Sequence, residues 1–401
     1  MSALNPVIVA GDVVTAYGSG LDACWQGLLA GRSAVSRLNR FPTQAFASDV
    51  AATVPGLDPA RDVSLVMQML DPLLAAARDA VPADACVLLA SSVGEIDLLE
   101  RHVLRATGRP DDSRLACLLD RVCRRLGVRE PGMVVSAACA SATMALAHGA
   151  SLIRRGEHDA VCVVACDAVT EFVYAGFSAL MALDRAAARP FDRSRSGLNL
   201  GDGAGFVLLM SPERASREQR RVCGEIAGWG ATGDANHMTG PSRDGAALAA
   251  AMRAALVSAG AEAGDIGSIS AHGTGTVFND AMEMKAFHFL FGGNPVPTYS
   301  VKGGTGHALG AAGLIEMLIE LKALAVGIVP PTANLRDVDD DALGWVSGQL
   351  VQRGAAPFGL STNSGFGGVN VALVLKAPAA DLSDRSDLSD APCDLQGAAN
   401  E

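Results

Sequence analysis

Short apolar runs alternate with longer runs rich in Ala and Leu along almost the whole chain. This alternation limits the fold more than any other feature. Strands are read over 6–14, 85–90, 133–138, 160–165 and 204–210, and helices over 21–30, 115–126 and 141–155. The pattern restarts with strands over 224–228, 266–271 and 369–376, and helices over 245–259, 281–290 and 310–326. Strands that are apolar on both faces, spaced by helices, imply an α/β protein with largely parallel, covered sheets. The polar stretch 211–221 is the expected seam. It divides the chain into halves over 1–215 and 220–378, followed by a tail over 379–401 whose Asp, Ser and Ala content predicts disorder. The halves echo one another. In each, a strand ends at a chemically equipped residue, Cys139 in the first and His272 in the second, then small residues lead into a helix.

The 401 residues are 49% hydrophobic but only 4% aromatic, so the core is expected to be close-packed Ala, Val and Leu. A net charge of −11 argues against nucleic acid as a partner. The nine cysteines are scattered, with no spacing suited to zinc. Cys162 and Cys166 share one strand face and are read as small buried hydrophobes. A reduced, cytoplasmic protein is expected. The chain shows no signal peptide and no run of about 18 apolar residues, so no membrane span is expected.

The chemistry concentrates at three places. Residues 133–142, MVVSAACASA, carry a strand directly into a small-residue helix, placing Cys139 at the helix N-terminus. The free N–H groups and positive dipole end there favour a thiolate. His272 lies in HGTGT, 272–276, and His307 in SVKGGTGHALGAAG, 300–313. Glycine beside a polar side chain marks close backbone approach. Neutral imidazoles in such settings donate to a developing oxyanion. Lys302 has apolar and glycine neighbours, so it is read as buried and in need of an anion. Glu316, nine residues after His307, is the expected partner. For Asp280 and Glu283, bracing the HGTGT loop and a plain role at a helix N-terminus both fit. Finally, GFGGVN over 365–370 is read as a mobile loop with Phe366 as a bulky stopper.

Together these motifs resemble the β-ketoacyl-acyl carrier protein synthases, the condensing enzymes of the thiolase fold, over 7 to about 376. RPFDRSR at 189–195, GDGAG at 201–205 and DANHMT at 234–239 add to the likeness. The segments over 176–201 look like synthases of polyene- and polyketide-type pathways. The resemblance implies two similar α/β halves in an αβαβα five-layer packing. It implies that Cys139 accepts an acyl chain, with the backbone N–H groups of Cys139 and Phe366 as oxyanion hole. His272 and His307 then promote decarboxylation of malonyl-carrier protein, with Lys302 and Glu316 in the same site and Thr274, Thr276, Asp280 and Glu283 supporting it. Phe366 is implied as a gate, Val93 and Phe191 as acyl-pocket residues, and Arg195 and Thr239 as docking positions for the carrier protein and its pantetheine arm. No cofactor or metal is implied. The partners implied are acyl carrier protein and a second subunit, either another copy or a ketosynthase-like chain. Departures from the family are a glycine-poor SSVGE at 91–95 and a shortened segment over 107–126.

Three other readings compete. A non-catalytic chain-length factor usually lacks the nucleophile, which is present here. A thiolase would carry a second catalytic Cys where Phe366 stands. A Cys-His hydrolase would need an Asn or Asp orienting one histidine. Lys302→Ala is expected to impair activity; a variant with unchanged activity and folding would remove Lys302 from the site.

Overall fold

Successive side chains of a strand point to opposite faces, and here both faces are buried. Along β2 (Cys86–Ala90) and β4 (Ala160–Asp167), Leu88, Ala90, Val161 and Val163 enter one core, while Val87, Leu89, Cys162 and Cys166 enter another. The computed structural model describes residues 5–107, 109–129, 132–353 and 356–378. The expected disordered tail over 379–401 lies outside them. β2 and β4 join β1 (Val7–Thr15), β3 (Met133–Val135) and β5 (Gly203–Met210) in the order β3-β2-β4-β5-β1. A second set contains β6 (Gly224–Gly233), β7 (Ile266–Ser270), β8 (Thr298–Tyr299), β9 (Phe358–Gly365) and β10 (Val369–Lys376). Its order is β8-β7-β9-β10-β6.

Adding five to each strand number converts one order into the other. The directions repeat too: the first two pairings of each set are parallel and the last two antiparallel. The sets meet where Val7 and Ile8 pair with Glu225 and Gly224. The sheet is therefore mixed, where a largely parallel one was expected. One reason is local: β9 and β10 are joined by a tight hairpin, which permits only antiparallel pairing.

Helices form three layers around the two sets. α1 (Leu65–Ala77) packs on the outer face of the first set, with α2 (Ile96–Arg105) and α3 (Leu115–Leu126) on that side of the molecule. α4 (Ser141–Arg154) and α8 (Ala312–Val326) lie between the two sets and contact both. α5 (Glu171–Ala179) lies beside α2, α6 (Ala246–Ala259) covers the second set, and α7 (Val277–Phe291) packs on α6. The order is αβαβα.

The repeat corrects the echo read from the sequence. Cys139 follows β3, whose counterpart is β8, and β8 leads into Lys302, His307 and α8. His272 follows β7, the counterpart of β2. Both β7 and β8 run through small residues into a helix, so the local pattern suits either. Only strand order separates them.

α4 and α8 touch near their N-termini. A side chain at Gly313 would collide with the Thr143 hydroxyl, so glycine sets how closely the helices approach. Gly313→Ala is expected to lower stability by about 1–3 kcal/mol. Adding Thr143→Ala should restore part of it, because the two changes share one contact. Denaturant unfolding of the single and double variants checks this; an unchanged midpoint for Gly313→Ala would show that the helices are not pinned there.

Candidate active site

The chain between β3 and α4 turns within residues 136–140. Ala138 adopts φ 49°, a left-handed conformation that costs a residue with a Cβ roughly 1–2 kcal/mol. Ser141 Oγ holds the turn, donating to the Ala138 carbonyl at 2.6 Å and accepting from Ala137 N–H at 2.8 Å. Ser92 Oγ donates to the same carbonyl at 3.0 Å. Cys139 is thereby placed at the start of α4, 5% exposed, on the wall of a cavity of about 440 Å³. His272, His307, Thr274, Thr276 and Phe366 line that same cavity.

The expectation of a resting thiolate is corrected. Burial is the largest influence on Cys139 and pushes its thiol up to about 11; the charge of Lys302 and hydrogen bonds from the Phe366 and Cys139 backbone oppose it. Losing water destabilises the anion more than these groups stabilise it. Cys139 rests as a neutral thiol.

Phe366 sits at the tip of the β9–β10 hairpin, where Gly365 pairs with Val369. Gly367 and Gly368 make the turn at φ 84° and 80°. A Cβ on Gly365 would press within 2.8 Å of the Ala137 carbonyl and 3.3 Å of the Cys139 nitrogen. Glycine therefore lets the hairpin lie against the nucleophile turn. The Phe366 ring stacks on Phe177 at 5.7 Å, and Gly367 N–H donates to the Met238 carbonyl at 2.7 Å. The segment expected to be a mobile loop is the tip of a hairpin, with partners for both the Phe366 ring and the Gly367 backbone.

The histidines are held from behind. Glu283, in the second turn of α7, accepts from His272 N–H at 2.8 Å and Gly273 N–H at 2.7 Å. Asp280 accepts from Thr274 and Gly275 N–H, and the Thr274 and Thr276 hydroxyls lie 2.9 Å apart. Both carboxylates therefore bind the loop backbone. Burial, then the neighbouring Asp280, pushes Glu283 up to about 8. His307 N–H donates to the Asn199 carbonyl at 2.7 Å. The two imidazoles meet edge to face, 5.3 Å between centroids. Burial, and then the charge of Lys302, holds both well below their ordinary value. Both are neutral at neutral pH.

Lys302, 1% exposed, forms an ion pair with Glu316. It also donates to the His272 carbonyl at 2.5 Å and lies 3.2 Å from His272 Nδ1. An ammonium group only donates, so Nδ1 accepts and the His272 proton is assigned to Nε2. Asn363 Nδ2 donates to the other Glu316 oxygen at 2.5 Å.

Three further residues lie elsewhere than expected. Phe191 does not line the cavity. Its ring sits in the outer core of the second half, directly under Gly273, and its N–H donates to Asp280 at 2.9 Å. Val93 is not among the residues lining the cavity; it packs against the cluster of Leu38, Val169, Tyr174 and Leu309, which Phe177 also contacts, and Asp167 accepts from Ser91, Ser92 and Val93 in the turn after β2. The Arg195 side chain, 7% exposed, is paired with Asp339 and Asp280, so its charge is spent inside the fold rather than offered to a docking partner. Thr239 does stand at the mouth, beside His237. Sequence reasoning missed Asn363, Phe177 and Asp167, the last of which also accepts from Gly310 N–H at 2.7 Å. The run of Ser, Thr and Asn over 361–364 carried the signal for Asn363. Among the described residues no cluster of His, Cys, Asp and Glu is arranged to hold a metal, and no helix is long and apolar enough to cross a membrane.

The fold is the thiolase fold, and the protein is an acyltransferase. The chain belongs to the beta-ketoacyl synthase family: the model of that family's N-terminal domain matches residues 100–215 and that of its C-terminal domain 223–336. It is 32% identical to 3-oxoacyl-[acyl-carrier-protein] synthase 2 of Vibrio cholerae, over 94% of this chain and 100% of that one. It is 33% identical to the oxytetracycline polyketide putative beta-ketoacyl synthase 1 of Streptomyces rimosus, over 93% of this chain and 97% of that one. The solved ishigamide ketosynthase/chain length factor superposes with a TM-score of 0.83 at 30% identity, covering 94% of this chain and 100% of that one.

Arg195→Ala leaves the buried Asp280 and the half-covered Asp339 without their cation. It is expected to cost about 3 kcal/mol of stability while leaving the affinity for carrier protein unchanged. Thermal unfolding and a carrier-protein titration measure the two effects; weakened carrier binding at unchanged stability would return Arg195 to the docking surface.

Proposed function

We propose that this enzyme loads an acyl chain onto Cys139 and extends it by two carbons through decarboxylative condensation with malonyl-carrier protein. The observation that carries this reading is the shared cavity: one buried thiol facing two neutral imidazoles, with a buried ion pair behind them. In the loading step Cys139 sulfur attacks the acyl thioester. A neutral imidazole takes its proton and returns it to the departing pantetheine sulfur. In the condensing step His272 and His307 donate to the malonyl thioester oxygen, where charge builds as carbon dioxide leaves. Cationic histidines would hold the ground-state carboxylate instead, so their neutrality suits this chemistry. The carbanion equivalent then attacks acyl-Cys139, with the Cys139 and Phe366 N–H groups receiving the oxyanion. Their contact with the sulfur and the closeness of Gly365 to the Cys139 nitrogen support that role. Phe366, stacked on Phe177, is suited to gate entry, and Thr239 to meet the pantetheine arm.

The likeness to 3-oxoacyl-[acyl-carrier-protein] synthase 2 favours acyl carrier protein as the thioester carrier. The ishigamide structure, a ketosynthase/chain length factor, favours a second reading in which this chain is the catalytic subunit beside a ketosynthase-like partner. β3 ends the strand path and Met133 on it is 50% exposed, so this edge suits either another copy or such a partner. A cytoplasmic location fits the eight free cysteines among the described residues.

Cys139→Ala is expected to abolish the acyl-enzyme, and Cys139→Gln to retain malonyl decarboxylation without condensation. Intact-protein mass after incubation with acyl-carrier protein, and carbon dioxide release from malonyl-carrier protein, measure these. An acyl adduct persisting in Cys139→Ala would refute the assignment.

A further inference from the structure

The condensing reaction proposed for this site consumes a proton, and the role assigned below to Glu320 rests on that reaction. The malonyl C–C bond breaks and carbon dioxide leaves uncharged. The freed electron pair makes the new C–C bond, the acyl C–S bond breaks, and that pair remains on Cys139 sulfur. Because burial favours the thiol there, the sulfur takes up one proton as the C–S bond breaks. At that moment product and pantetheine would fill the cavity that Thr239 and His237 line. A supply from another side is needed.

A second buried acid lies behind the histidines. Glu320 is one helical turn after Glu316 on α8 and fully buried. Ser268 Oγ on β7 donates to its Oε1 at 2.5 Å. A side chain at Gly359 on β9 would collide with the same oxygen, so the sheet is shaped around this carboxyl group. Its Oε2 has no protein partner. The Tyr299 hydroxyl, on the strand that leads into Lys302, lies beside Glu320 and Ser270 and feels the charge of Glu316, yet no aligned hydrogen bond ties it to them. Ser270 and Ser361 are paired in register on β7 and β9, and each has a buried hydroxyl without a protein partner. On the outer side Arg353 Nε donates to Ser268 Oγ at 3.2 Å, and Arg353 is half-buried. The charged and titratable groups around Glu320 are thus Tyr299, Arg353 and Glu316. Polar groups run from Arg353 through Ser268 and Glu320 to Tyr299, which has Ser270 and Glu316 as neighbours, and Glu316 pairs with Lys302 beside His272.

We propose that this file, bridged by internal water between its hydroxyl groups, carries protons from the Arg353 surface to the Lys302–His272 pair, with Glu320 as the loading residue, so that Cys139 sulfur is reprotonated from beneath while substrate fills the mouth. Glu320 touches neither substrate nor sulfur; it acts through the groups between. Burial pushes its carboxyl group up to about 7, opposed by Ser268, Tyr299 and Arg353. It is therefore loaded below neutral pH and emptied above it.

Single-turnover measurements on the full-length enzyme separate the two half-reactions. Acyl loading moves a proton from one thiol to another and takes up none; condensation takes up one. In the parent enzyme condensation should slow as pH rises through about 7, while loading does not follow that limb. Glu320→Gln, isosteric but unable to release a proton, should slow condensation at pH 6.5 by about fivefold or more and flatten its pH profile, with loading within about twofold of the parent. Tyr299→Phe should show the same split. Parent-like condensation rates and pH profiles in both variants would overturn the proposal. So would equal loss of both half-reactions, which marks a packing role. An acyl adduct missing from Cys139 in the parent enzyme would instead overturn the underlying reaction.

Discussion

Everything in this site depends on the backbone-close contact between the two central helices. Gly313, the second residue of α8, faces Thr143, the third residue of α4. Each helix begins just after a reactive segment, α4 after Cys139 and α8 after His307. Bringing the two N-termini together therefore brings a sulfur from one half beside an imidazole from the other. A larger residue at 313 would push the helices apart, and both sheets with them, since each sheet rests on both helices. The small-residue motifs that look featureless in the sequence are in this sense positional: they set distances between reacting groups that lie far apart along the chain.

Charge is distributed with economy. The three groups proposed to meet substrate are uncharged at rest, because burial penalises the thiolate and the two imidazolium ions alike. The buried cation next to them is Lys302, paired with Glu316, and the remaining hydrogen bonds of the pair go to Asn363 and His272. That pair sets the His272 tautomer and, through its positive end, keeps a second proton off both rings. A lone buried lysine would be unsustainable; one satisfied on each side is a fixed local field. Glu320 and Glu316 occupy successive turns of one helix, so α8 carries acids into the region below the site as well as His307's loop above it.

Much of this was legible in the sequence. The helix over 115–126 and the strand over 369–376 have the bounds that their unbroken apolar periodicity indicates. Reactive residues were legible because each sits in a glycine or small-residue setting that packing alone does not call for. β9 was missed, and the reason is instructive. Its buried stretch reads Gly359-Leu-Ser-Thr-Asn363, polar like a loop toward its end, because it faces the acids of α8 rather than an apolar core. α1 was missed as well; it contains Pro72, which on local rules interrupts a helix. Arg195 and Phe191 belong to recognisable motifs, yet their side chains turn inward to brace Asp280 and Gly273. A motif marks where residues cluster in the chain, not which way each one points.

The sequence by itself determined most of the strands and helices and singled out the residues proposed to react, since both follow from neighbours a few residues apart. Tertiary structure decided the strand order, and with it the pairing of Cys139's segment with that of His307 rather than of His272. It also decided that the sulfur rests as a thiol. A helix N-terminus is visible in the chain, but the loss of water that outweighs it comes from elements hundreds of residues away, and only the folded molecule brings them over the sulfur.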